Sequence, residues 1–223
     1  MGWNALIDPA AILVAAFGGA WLAFRLERKR RDDDEIQRRV GAANRALYTL
    51  FNFWNILEQF RKEAIEPLRG KHDQWLNMPA TVPTKYGLTA FEAGELSFLL
   101  QTENAMVFST LLLEEQRFAQ AVHMIELRSS IVLNQVFPRF ATAGVRVGGT
   151  LLEPDVEKII GNDTVHKLKV LGESIVANVD ANLKSIVTAH DQLRAAMKRL
   201  YPKRKFIKVE FGVVEPHAQT PAA

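Results

Sequence analysis

No cysteine occurs among the 223 residues, which excludes a disulfide framework, a cysteine nucleophile and any thiolate metal site, and fits a chain in a reducing compartment. The common catalytic fingerprints are missing too. There is no Walker A phosphate loop, no glycine-rich dinucleotide loop after a strand, no nucleophile elbow and no H-E-x-x-H. A di-metal carboxylate bundle would need paired Glu-x-x-His motifs on facing helices, and the sequence offers only Asp163 to His166, so neither a metal nor another cofactor is expected. A strong charge excess is also lacking: 28 Lys and Arg stand against 25 Asp and Glu. A formal charge of +3 is too small to imply nucleic acid as a partner. Internal repeats and low-complexity segments are absent.

The most informative absence is local. Pro9 to Phe24 carries no charged side chain, and no turn residue marks the passage into the charge-dense stretch after it, "RLERKRRDDDEIQRR". Leu26 extends the apolar run if Arg25 lifts its guanidinium toward the headgroups. Sixteen residues at about 1.5 Å each span roughly 24 Å, against a hydrocarbon core of about 30 Å. A secretory signal would carry its positive charge before the apolar run, whereas Arg25, Arg28, Lys29, Arg30 and Arg31 come after it. A soluble core or interfacial helix, the other alternative, would show a polar face, and positions 9 to 24 have none.

The sequence therefore predicts a transmembrane helix over 9–26 in the inner (cytoplasmic) membrane. The tail 1–8 is placed outside, and the basic cluster, which also meets anionic lipid, holds the rest in the cytoplasm. Trp3 and Trp21 are expected at the interfaces. Ala11, Ala15, Gly19 and Ala23 recur every four residues and predict a face for close helix packing, hence a homo-oligomer in the bilayer.

Beyond the span, 27–39 reads as a charged helical neck, with Arg28 and Asp32, Lys29 and Asp33, Arg30 and Asp34, and Glu35 and Arg39 each four residues apart. An uninterrupted helix there would couple the membrane part mechanically to the cytoplasmic part. Region 40–202 is expected to be an all-α bundle of about four helices. Ile36, Val40, Ala43, Leu47, Leu50, Trp54 and Leu57 keep 4-3 spacing, and Phe51, Phe53, Ile56 and Phe60 widen the apolar face. Pro67 and Gly70 close this helix, and a loop runs from Arg69 to Gly87.

Thr89 and Glu92 suggest a capping box. A long helix with Val107, Leu111, Phe118, Val122, Ile125, Val132 and Val136 on one side is expected to stop near Pro138. "EPDVEKIIG" reads as a short helix. The last long helix carries Leu168, Ile175, Val179, Ile186, Ala189, Leu193, Ala196 and Leu200, interrupted at Gly172 and at Asn182, which either fixes helix register or faces solvent. After Pro202, residues 203–214 alternate apolar and polar and predict a basic β-strand. That strand needs a partner: Val145 to Val147, another subunit, or a protein partner's edge. Its Lys203, Arg204 and Lys205 are a second candidate for anionic lipid contact. The tail 215–223 reads as disordered.

One short motif bears on catalysis. "RFAQAVH", Arg117 to His123, resembles the R-x(4 to 6)-H signature of the HEPN ribonuclease family, in which the Arg and His of two subunits face each other and cut RNA without metal. The resemblance covers seven residues and implies Arg117 and His123 as catalytic groups of a dimer. Six residues at about 100° each set them about 120° apart, so a shared site would need the partner chain. The alternative is that Arg117 pairs with Glu114 or Glu115 and His123 is an ordinary half-buried histidine. His190 beside the last apolar seam reads as a core histidine. The functional expectation is a single-pass membrane-anchored interaction protein, a scaffold, sensor or assembly component that self-associates. The runner-up is a membrane-tethered HEPN-like ribonuclease or membrane-acting effector in stress or antiviral defence.

Overall fold

A computed structural model describes residues 4–81, 90–145 and 151–212, with side chains from residue 14 onward. Helix α1 runs unbroken from Asn4 to Phe60 over 57 residues. Nothing after Pro9 interrupts it: no proline recurs before Pro67, and Glu27–Arg31 (2.9 Å) and Glu35–Arg39 form i,i+4 pairs with the acid N-terminal, the favourable order. Of the four neck pairs expected, only Glu35–Arg39 forms among the described residues; Arg28–Asp32, Lys29–Asp33 and Arg30–Asp34 do not, and Asp33 meets Arg204 instead. At Phe60 the helix widens into a π turn, Arg61–Ile65, then tightens into a 3₁₀ turn, Glu66–Leu68. Pro67 and Gly70, at φ 77°, end it as expected.

Short helices α2 (Gln74–Asn77) and α3 (Ala93–Leu96) come next, the latter prolonged by a 3₁₀ stretch, Ser97–Gln101. Thr89 lies outside the described residues. Helix α4 (Ala105–Ile131) does not stop near Pro138. It passes through a π turn, Val132–Val136, into α5 (Phe137–Thr142), with Pro138 in the first turn. A first-turn proline costs no helical hydrogen bond, because that N–H would have no partner anyway, and the π turn supplies this local restart. Helix α6 (Glu153–Ile160) has Pro154 at its start and Gly161 at φ 85° after its end, as predicted. Helix α7 (Asn162–Leu200) spans 39 residues.

Three long helices make the bundle: the second half of α1, α4 and α7. The expectation of about four was too many, because α2, α3 and the 3₁₀ stretches fill the remaining sides with short pieces. α7 runs antiparallel to the other two, since Tyr201 meets Arg39 at one end while Asp180 meets Arg69 toward the other, and Asn104 at the start of α4 meets Arg199. The 4-3 positions of α1 and the seam of α7 form the core. Ala43, Leu47, Leu50, Leu57, Leu168, Val179, Leu193 and Ala196 are fully buried. Phe53 stacks on Phe118 of α4 with ring centroids 4.1 Å apart. A second cluster, Trp75, Ile131, Val136, Val156, Ile160 and Leu168, closes the end far from the neck.

Both interruptions of the α7 seam are packing features. Asn182 is buried and donates through Nδ2 to the Arg117 carbonyl at 3.0 Å, fixing α7 against α4. Gly172 faces α2, where a Cβ would meet Trp75 Cα at 3.5 Å.

Two expectations change. First, no strand occurs among the described residues, so the strand expected over 203–214 is not one through Gly212; Val213 and Val214, Val147 as a possible partner, and the tail 215–223 lie outside the described residues. No described neighbour offers an edge for a ladder. Instead the segment lies as a strap along α1: Phe206 is buried, the Ile207 N–H donates to Asn44 Oδ1 at 3.0 Å, and Phe211 meets Trp54 edge-on at 5.3 Å. Its burial does not follow the apolar alternation: Phe206 is buried, Ile207 is exposed, and Val209 and Phe211 are half-buried. Second, no helix among the described residues is long and apolar enough to cross a membrane. The described side chains open the uncharged run only at Val14, and Val14 to Phe24 alone make roughly 16 Å of helix. Pro9 to Leu13 of the expected span lie outside the described side chains, on a helical backbone.

Gly172 gives the first test. Gly172→Ala should be tolerated or stabilise by about 0.5–1 kcal/mol, since a Cβ at 3.5 Å is ordinary contact and alanine is the better helix former. Gly172→Leu should cost roughly 1–3 kcal/mol by forcing α2 outward. Urea unfolding of both variants measures the difference.

Candidate functional site

The first candidate is the protruding part of α1. From Val14 to Glu35 every side chain is exposed, and among the described residues the only ion pair to this stretch from beyond α1 is Arg204 on Asp33. Phe17 and Val14 are each 73% exposed, Phe24 76% and Trp21 62%. Arg25 lies over the Trp21 ring at 5.2 Å. Of the small-residue face, Ala15, Gly19 and Ala23 are open, and a Cβ added at Gly19 would meet nothing within 4 Å; the Ala11 side chain lies outside the described ones.

The fold then brings together the two basic clusters that the sequence keeps apart. Arg204 Nη2 approaches Asp33 Oδ1 at 3.7 Å, and Lys203 and Lys205 beside it are exposed. Asp33 lies about 3 Å beyond Arg31 and about 12 Å beyond Arg25 along the helix axis. Arg25, Arg28, Lys29, Arg30, Arg31, Lys203, Arg204 and Lys205 thus form one basic collar where α1 leaves the bundle. Antiparallel α7 is what returns the chain to that end.

Arg117 and His123 share α4, and both are exposed. Arg117 is committed: its Nη1 donates to Glu114 Oε1 at 2.8 Å, while Glu114 is buried and also accepts from Ser185 Oγ at 2.6 Å. Together with Asn182 this makes a polar layer tying α4 to α7. The pairing with Glu114 is thus as the alternative reading had it, although the carboxylate is buried rather than superficial. His123 is exposed instead of half-buried.

Two buried cationic or titratable groups also stand out. Arg128 on α4 is 1% exposed and faces no carboxylate among the described residues. Its Nη2 donates to the Trp75 carbonyl at 3.0 Å and the Leu76 carbonyl at 3.4 Å, capping the end of α2 where helix carbonyls lack partners. Burial lowers its pKa to about 10, leaving it charged at neutral pH. Sequence reasoning passed over Arg128; its place amid Ile125, Ile131 and Val132 on the apolar side of the helix was the available signal.

His190 is 1% exposed, beneath the Phe211 edge at 5.0 Å. Burial pushes its pKa down, against the opposing pull of Asp191 at 3.3 Å from Nδ1. It is a core histidine, as expected.

Two concavities flank α1 just beyond the neck. A groove of about 770 Å³ opens between Glu35–Arg45 and the α3 segment, lined in part by Arg38, Arg39, Arg45, Glu95 and Phe98. Beside it lies a hollow of about 170 Å³ among Ala42, Ala46, Thr49, Phe91 and Leu96. The Arg45–Glu95 ion pair stands between them and holds the Glu95 carboxyl below its ordinary range. Among the described residues no group of three or more His, Asp or Glu side chains converges to hold a metal. Compared with known proteins, the chain matches no family model, no curated protein and no solved structure.

The buried groups provide two tests. Arg128→Ala should cost roughly 3 kcal/mol, because it strands two α2 carbonyls and opens a cavity, and α2 amides should lose hydrogen-exchange protection. His190 has a folded pKa below its unfolded value near 6.5, so stability is full above that pH and falls as pH drops through it toward the folded pKa. Melting temperature across this window should fall less in His190→Gln than in the native chain.

Proposed function

We propose that this chain is a membrane-anchored helical interaction protein: the apolar beginning of α1 lies in a bilayer, the basic collar rests on its cytoplasmic face, and the bundle projects away as a scaffold, sensor or assembly component. The observation that carries this reading is the run of large apolar side chains from Val14 to Leu26 that nothing in the described chain covers. Burying a Val, Leu or Phe side chain stabilises by about 1.5–3 kcal/mol, so six such residues left in water represent on the order of 10 kcal/mol. A segment lying in a one-sided groove on a protein partner would turn a polar face to water, and Val14 to Phe24 has no polar face. Hydrocarbon covers every side.

The helical backbone continues back to Asn4, which would bring Pro9 to Leu13 into the same layer and lengthen the apolar stretch to about 24 Å. The collar adds attraction to anionic headgroups of about 1 kcal/mol per basic residue close to the surface, fading over a Debye length of about 8–10 Å. Arg28, Lys29, Arg30 and Arg31 lie within that distance of Arg25; Lys203 and Lys205 reach it through their long side chains. Basic residues after the apolar stretch favour an inner-membrane location with the amino terminus outside. The open face at Ala15, Gly19 and Ala23 supports self-association there. The HEPN-like ribonuclease reading ranks second, because the Arg117 guanidinium is occupied by Glu114.

Flotation of the full chain with liposomes tests the anchor. The native chain should float and resist alkaline extraction, while Phe17→Asp/Leu22→Asp should shift it to the soluble fraction with the bundle still folded by circular dichroism. Extraction of the native chain would overturn the anchor. In the membrane, Gly19→Leu should weaken cross-linking between copies; unchanged cross-linking would remove the small-residue face as the contact.

A further inference from the structure

We infer that the groove between α1 and the α3 segment is a binding site for a small phosphate-bearing ligand carrying two linked anionic groups, such as a diphosphate. Its floor has a specific layout. Arg38 and Arg45 are seven residues apart, so they share one face of α1 and stand about 10 Å apart along it. Gly41 lies between them on the same face, and with no side chain there the Arg45 guanidinium folds over it, Nη1 lying 3.6 Å from where a Cβ would stand, so the charge is held down in the floor of the groove. A volume of about 770 Å³ is in the range of small-molecule sites, roughly 300–1,000 Å³.

The charges are placed for exchange. Arg39 is already engaged: it pairs with Glu35, approaches the Tyr201 hydroxyl at 3.5 Å and lies over the Phe98 ring at 5.4 Å, which makes it a fixed wall. Arg38 has no ion pair or hydrogen bond among the described residues, so its five-donor fork is available. Arg45 is held only by Glu95, and both side chains are about half exposed, at 58% and 45%. Exposed pairs of this kind contribute at most about 1 kcal/mol, so a doubly charged phosphate, gripped bidentately, can displace Glu95. Among the described lining residues three guanidinium groups face two carboxylates, with Glu92 beside Glu95 at the edge.

Distance separates the two sources of such a phosphate. Arg38 lies about 20 Å beyond Arg25 along α1, whereas the headgroup layer is only about 5–7 Å deep. A phosphate belonging to a bilayer lipid does not reach the groove, and a soluble one does. Occupancy would tie α1 to α3 at the point where α1 leaves the bundle.

The test uses the full chain in phosphatidylcholine nanodiscs, titrated calorimetrically with inorganic pyrophosphate and with ATP at constant ionic strength. Saturable binding is expected, weakened at least tenfold in Arg38→Ala and only partly in Arg38→Lys, which keeps the charge but not the fork. Sodium chloride at matched ionic strength should give no heat. Replacing phosphatidylcholine by phosphatidylglycerol should leave the pyrophosphate affinity unchanged; competition there would identify a lipid headgroup as the ligand and overturn the soluble source. No binding by the native chain, or equal binding by Arg38→Ala, overturns the site. Because flotation reads the anchor and calorimetry reads the groove, the two proposals fail separately.

Discussion

The apolar stripe of α7 is the surface on which the rest of the fold is assembled. α1 and α4 lie against it from two sides, and α2 and α6 close over its first half. Between themselves α1 and α4 share chiefly the stack of Phe53 on Phe118. Hydrophobic burial along one helix has no preferred register, and the polar groups within the stripe supply it. Asn182 and Ser185 reach α4 through the Arg117 carbonyl and Glu114, and a shift of one turn would strip the buried Glu114 Oε2 of its Ser185 donor and leave the Asn182 amide unpaired. Arg69 on Asp180 does the same for α1, as the last member of a chain of ion pairs that begins at Lys62 and Glu58.

The antiparallel course of α7 also decides what is near what. It carries Lys203, Arg204 and Lys205 back to the neck, so that two basic clusters distant in sequence become one collar. The same return places Tyr201 on Arg39, at the rim of the groove that opens beside α1. The groove itself is formed by α1 and the α3 segment, and the return of α7 touches it only through the Tyr201 hydroxyl on Arg39.

Much of the bundle was legible in the sequence because periodicity reports burial: of the 4-3 positions of α1, Ala43, Leu47, Leu50 and Leu57 are buried and Ile36, Val40 and Trp54 half-buried, and the seam of α7 is buried up to Leu200, which is half-buried. Helix ends marked by glycine and proline, at Gly70, Pro154 and Gly161, were legible for the same local reason. Pro138 misled, since a proline ends a helix only if its missing N–H was needed, and the π turn before it removes the need. The strand at 203–214 misled more deeply. Alternation predicts that Ile207, Val209 and Phe211 share one buried face, whereas Ile207 is exposed and the buried anchor, Phe206, has the opposite parity. Residue-level sites were the least legible. The collar, the groove and the role of Arg128 all depend on contacts between segments tens of residues apart, which no spacing rule encodes.

The strap from Lys203 to Gly212 has a mechanical character unlike that of the helices it crosses. A helix carries its own ladder of backbone bonds, but this extended segment has none and is held to α1 only at separate anchors, Phe206, the Ile207 N–H and Phe211. Tension applied beyond Gly212 falls first on Phe211, then on the single bond to Asn44, then on Phe206. Release of the strap would uncover His190 and Trp54 while leaving the contacts of α7 with α1 and α4 in place.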